Sequence, residues 1–160
     1  VNQQKLSTNA ELEKIQRESF DYFLHEVNPV NGLIRDKTDK NNWPASIAAT
    51  GLALASYPIG VERSFISRDK AVELTLKTLR FFWESPQGTA PDATGYKGFY
   101  YHFLDMTTGK RVWQCELSTV DSAFLLAGML TAGMYFDANT EKEKEIRTLA
   151  DALYARVDWQ

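Results

Sequence analysis

The chain has 160 residues, 44% of them hydrophobic and 24% charged, a balance that builds a folded core and excludes a disordered chain. Its net charge is −3 and its 18 basic residues are spread along the sequence, so no basic stripe marks a nucleic-acid surface. Cys115 is the single cysteine, which excludes an internal disulfide, and two histidines beside it argue against a structural zinc site.

The strong signals along the chain are helical. Thr8-Asn9-Ala10-Glu11 fits a capping box, and Phe20, Phe23, Leu24 and Val27 form a stripe at i, i+3, i+4, i+7. A helix to about Val27 is expected, stopped by Asn28-Pro29-Val30-Asn31-Gly32. Leu33 to Trp43 is a polar loop carrying Arg35, Asp36 and Asp39. A second helix is expected from Pro44 to about Gly60, with Pro44 in its first turn and Pro58 kinking or ending it. Its residues are nearly all small or apolar, which marks a buried helix.

Ser67 caps a third expected helix reaching about Trp83, with Trp83 and Phe81 read as core. From Thr89 to Gln114 the character changes. Phe99 to Leu104 is aromatic-rich, Asp105 to Gly109 reads as a turn, and a small hairpin is expected. A fourth helix runs from Ser118 to about Phe136, again apolar nearly all round. Its most apolar stretch, Phe124 to Phe136, is too short to cross a bilayer, and no membrane span is expected. Thr140 caps a fifth helix with Ile146, Leu149, Ala150, Leu153 and Val157 on one face. Fully apolar helices thus alternate with amphipathic ones, the pattern of two concentric helical layers. Cys115 is expected to be a buried small hydrophobe.

Several runs in this order resemble the glucoamylase-like family of glycoside hydrolases. They are Ala45-Ser46-Ile47-Ala48-Ala49-Thr50-Gly51, Pro58-Ile59-Gly60-Val61-Glu62-Arg63 and Thr78-Leu79-Arg80-Phe81-Phe82-Trp83. The closest match is Gly95 to Asp105, continuing through Gly109-Lys110-Arg111 into Cys115-Glu116-Leu117-Ser118-Thr119-Val120-Asp121. The resemblance runs from about Leu12 to Trp159. It implies an all-α chain, the N-terminal part of an (α/α)6 toroid with a small β-hairpin insertion. It also implies hydrolysis of a glucan, with β-1,2-glucan among the family's substrates, and inversion at the anomeric carbon. Twelve helices of ~12 residues with their loops need more than ~300 residues, so residues 1–160 are expected to be an incomplete domain whose partner is the remaining C-terminal part. A start at Val1 without an apolar leader fits either a removed signal segment or trimming, and a periplasmic or secreted protein is expected.

Glycoside hydrolysis uses two carboxyl groups, one protonated and one ionised. Glu116 and Asp121 are the expected catalytic pair, at the junction of the aromatic loop and a buried helix. Asp121 also fits a cap role, and Glu116 a structural ion pair. Both would feel the positive helix end, which suits a base better than an acid, so the acid is expected outside this stretch. Sugar rings need aromatic platforms with polar edges. Tyr96, Lys97, Tyr100, Tyr101, His102 and Trp113 are therefore the expected substrate-binding residues, with Asp36 from the earlier loop and Trp43 as a further candidate. Strand alternation would turn Tyr100 and His102 together toward the cleft. Asp39 and Asp105 read as turn formers. An oligo- or polysaccharide substrate is expected, with no metal and no organic cofactor. A non-catalytic glycan-binding or scaffold toroid, and a phosphorolytic or transglycosylating relative, remain open alternatives.

Overall fold

The structure is a computed structural model that describes residues 8–39 and 41–160. The described residues form helices α1 (Thr8–His25), α2 (Ile47–Glu62), α3 (Arg68–Glu84), α4 (Thr119–Tyr135) and α5 (Glu141–Ala155). Short strands stand between them: β1 (Ala45–Ser46), β2 (Gly95–Tyr96), β3 (Phe99–Tyr101), β4 (Phe103–Leu104) and β5 (Leu117–Ser118). No described helix is long and apolar enough to cross a membrane.

Local chemistry sets the helix starts. Ser46, Ser67, Ser118 and Thr140 each accept a backbone N–H three residues on, satisfying donors that the helix itself leaves open. Thr8 already lies inside α1, so it is not that helix's cap. Two expectations at α2 are corrected. Pro44 precedes the helix by three residues, because Ala45–Ser46 pairs with Phe103–Leu104 before Ser46 caps. Pro58 does not end α2, which continues to Glu62 with Tyr57, Pro58 and Gly60 buried, so packing overrides the proline's penalty.

Helices α2 and α4 form the inner pair. They lie so close that a Cβ on Gly128 would stand 2.1 Å from the Gly51 carbonyl oxygen, and one on Gly51 would stand 2.4 Å from that of Phe124. Their N-termini both meet the strand segment 99–104, and at the far end the Tyr135 hydroxyl donates to Glu62 (2.6 Å), so they run parallel. Helices α3 and α5 are amphipathic and outer, joined by Arg80 on Glu145 (2.6 Å for both contacts) and Arg68 on Glu143 (2.9 and 2.8 Å). Leu54, Leu79, Leu125, Met129, Phe136 and Ile146 fill the space between the layers with no exposure above 0%. Each such side chain contributes about 1.5–3 kcal/mol by leaving water.

The inner helices are not buried all round. Val120, Phe124 and Met134 on α4 are 65%, 51% and 83% exposed, and Leu52 and Ile59 on α2 about half exposed. Trp83, read as core, is 44% exposed at the end of α3, where the Arg156 guanidinium lies over its ring. Phe81 does pack against the core.

Candidate active site

Strand β3 pairs antiparallel with β2 on one side and β5 on the other, whereas β4 pairs with β1. The chain therefore changes partner at His102, and the backbone there joins both inner helices. The His102 carbonyl accepts from the Ile47 N–H at the start of α2 (3.2 Å), and the His102 N–H donates to the Glu116 carbonyl just before β5 (3.1 Å).

Side chains converge at the same point. His102 Nδ1 lies 2.8 Å from Glu116 Oε1 and 3.7 Å from Asp121 Oδ2. Asp121, in the first turn of α4, also accepts the Ser118 hydroxyl (2.5 Å), while its own N–H donates back to that oxygen (3.1 Å). The imidazole stacks on Phe103, centroids 3.8 Å apart, which fixes its plane. Beyond Phe103 the rings continue to Trp113 (5.4 Å) and then Trp43 (5.1 Å).

The Glu116 carboxyl is held below its ordinary range, first by its own backbone N–H and then by the His102 hydrogen bond. It is an ionised acceptor with 63% of its side chain open, whereas Asp121 is only 19% open. One ligand atom from each of His102, Glu116 and Asp121 lies within 4.8 Å of the others, close enough to share a cation. Among the described residues this is the one grouping of that kind.

Comparison with known proteins points the same way. No family model matches the chain. An exo β-1,2-glucooligosaccharide sophorohydrolase (non-reducing end) of Parabacteroides distasonis is 31% identical over 153 residues, which is 92% of this chain and 20% of that protein. The crystal structure of a β-1,2-glucanase from Parabacteroides distasonis superposes with a TM-score of 0.85 at 29% identity, covering 99% of this chain and 22% of that one. A Bacteroides uniformis structure provisionally assigned as a glucoamylase gives 0.85 at 26% identity, covering 98% and 38%. The chain is similar to glucoamylase-like proteins. Its all-α fold is the N-terminal part of that toroid, with β1 before α2 and the strands β2 to β5 inserted between α3 and α4. It spans about a fifth of the length of the curated relative.

The other expected binding residues scatter. Tyr100 is fully buried: its ring packs on Phe82 and its hydroxyl meets the Phe82 carbonyl (3.3 Å) and Arg156. It does not share a face with His102, because the bend at His102 breaks the alternation that the strand pattern suggested. Tyr101 is 9% exposed, under the Arg111 guanidinium. Tyr96 and Lys97 sit at the β2–β3 turn, the opposite end of β3 from His102, where Lys97 pairs with Asp158 (2.6 Å). Asp36 accepts the Trp43 indole N–H (3.1 Å) and so holds that ring. Asp39 and Asp105 are turn formers as expected, accepting the N–H of Asn41 and those of Thr107 and Thr108. Cys115 is half-buried, its sulfur bonded to the Phe103 backbone.

Glu116 and Asp121 share one histidine, their ligand atoms within 4.8 Å of one another, closer than the ~6.5–9.5 Å that separates an inverting pair. The centre stands where the two inner helices begin, with Glu116 exposed to water.

Proposed function

We propose that the protein is a glycoside hydrolase acting on a glucan, with β-1,2-linked glucose the favoured substrate. The observation that carries this reading is the His102–Glu116–Asp121 centre at the convergence of the two inner helices, beside a run of open rings. The names of the sophorohydrolase and glucanase relatives support the linkage.

The chemistry follows from the charges. Glu116 stays ionised and open, so it can take a proton from water or accept a sugar hydroxyl. His102 orients it, and Asp121 with Ser118 anchors the group. A general acid needs a raised pKa, and Glu116 is instead held below its ordinary range. The inverting mechanism proposed here therefore takes its acid from outside residues 1–160. These residues form the N-terminal portion of one glucoamylase-like (α/α)6 domain, whose remainder closes the cleft. The open apolar flanks of α2 and α4 support that division, as does a span of 20% of the relative's length. Substitution Glu116→Gln in the full-length protein, followed by reducing-sugar release from β-1,2-glucan, tests the assignment. A loss of about 10³-fold or more is expected for a base. Turnover near the parental rate removes Glu116 from the mechanism. Proton NMR of the first products reads the stereochemistry, the α-anomer being expected.

A further inference from the structure

We propose that Trp43 and Trp113 form a separate sugar-binding subsite, one that holds a glucosyl ring of the substrate away from the bond being cut. The proposal rests on the glucan reading above and extends it to a second place on the surface. The two indoles meet edge to face, centroids 5.1 Å apart, on the wall of a cavity of about 330 Å³. Asn41, Asn42, Pro44, Asp105 and Val112 complete the lining. That size falls at the lower end for small-molecule sites, ~300–1,000 Å³.

Three observations separate this groove from an accidental surface patch. Trp113 is 60% exposed although it is among the largest apolar side chains in the protein. Its backbone is strained: Trp113 and Gln114 are both left-handed, at φ 55° and 53°, which costs about 1–2 kcal/mol per residue outside glycine. The strain is held by Arg111, which donates to the carbonyls of Cys115 (2.6 Å) and Gln114 (2.7 Å) while its guanidinium rests on Tyr101. The turn thus pushes an indole outward instead of folding it away. Finally, Trp43 is fixed by Asp36 at its N–H and by Lys37 over its ring (3.6 Å), so the platform is set before a ligand arrives.

The chemistry of the groove selects its ligand. Indole faces suit the C–H face of a pyranose, and the amides of Asn41 and Asn42 suit its hydroxyls. Asp105 on the rim keeps its charge, the Thr108 backbone N–H holding its carboxyl below the usual range. The ring series Trp113, Phe103, His102 links the groove to the carboxylate centre, so a chain bound at both points must be longer than one cut at the centre alone.

The test uses the full-length protein and β-1,2-glucooligosaccharides of increasing length. Trp113→Ala should flatten the gain in kcat/KM with chain length by about tenfold, the worth of one stacked ring, and Trp113→Tyr should restore most of it. An unaltered length dependence in Trp113→Ala overturns the subsite. Tryptophan fluorescence of the Glu116→Gln protein is titrated with the longest oligosaccharide in parallel. Quenching that disappears in Glu116→Gln/Trp113→Ala supports the subsite, and quenching that survives, or none at all, overturns it. The two readings fail separately: parental turnover in Glu116→Gln sinks the catalytic assignment while leaving the Trp113 comparison intact.

Discussion

His102 and Glu116 are joined twice, once through the backbone (His102 N–H to the Glu116 carbonyl, 3.1 Å) and once through their side chains (Nδ1 to Oε1, 2.8 Å). The first bond belongs to the β3–β5 pairing that seats α4, so the distance between imidazole and carboxylate is set by the fold. The second places a donor on a carboxylate that would otherwise sway in water.

The pair makes a prediction about acid sensitivity. Glu116 is depressed below its ordinary range, so it stays ionised as pH falls through the usual carboxylate region, and the proposed base role predicts activity that persists there. Substituting His102→Gln removes one of the two leading causes of that depression. The Glu116 pKa then rises, and the acidic limb of the kcat/KM profile moves to higher pH. A pH–rate series on parent and variant checks this. An acidic limb unmoved by the substitution shows that Glu116 does not set it.

The inner-helix crossing gives a stability prediction with an internal control. A methyl on Gly128 meets the Gly51 backbone, which cannot step aside without parting α2 from α4. Gly128→Ala is expected to destabilise by about 1–3 kcal/mol, the range for overpacking. A methyl on Gly88 meets nothing within 4 Å, so Gly88→Ala should be neutral or stabilise by up to about 1 kcal/mol. Thermal melts of both variants test the contrast.

Much of this architecture is legible in the residues. The all-apolar composition of α2 and α4 against the striped α1, α3 and α5 gives the two layers, and Ser67, Ser118 and Thr140 mark three helix starts. The candidate site is legible in pieces. His102, Glu116 and Asp121 stand out by type, but their meeting depends on pairings two or three residues long, too short for a periodic pattern to reveal. Tyr100 misleads for the same reason: alternation fails where the chain changes partner, and Arg156, 56 residues away, comes in to cover its hydroxyl. The strained turn under Trp113 has no glycine to announce it.

Glu143 carries a second pH-dependent contribution, this time to stability. It is 4% exposed, accepts both Arg68 nitrogens and the Ala138 N–H (2.8 Å), and is depressed chiefly by Arg68. A carboxyl lowered in the folded state adds stability that is complete above its ordinary value of 4.5 and is lost as pH falls through the lower folded value. Glu143→Gln should cost about 2 kcal/mol at neutral pH, less than a fully buried pair because Arg68 is partly open. The difference between parent and variant should shrink in acid, and denaturant melts across that range measure it.

The last prediction concerns the open side of the inner layer. Val120, Phe124, Ala127, Thr131 and Met134 follow one another at i, i+4, i+7, i+11, i+14 and all face water on α4. Such a stripe is the buried seam of a helix with a neighbour. If the remainder of the domain covers it, residues 1–160 expressed alone should bind a hydrophobic dye and self-associate. Phe124→Lys with Met134→Glu should suppress both. In the full-length protein the same double substitution should destabilise by several kcal/mol, about 1.5–3 for each side chain now left with a charge in the seam. A compact, dye-silent monomer of residues 1–160, or a full-length double variant that melts like the parent, contradicts the closure of the toroid over α4.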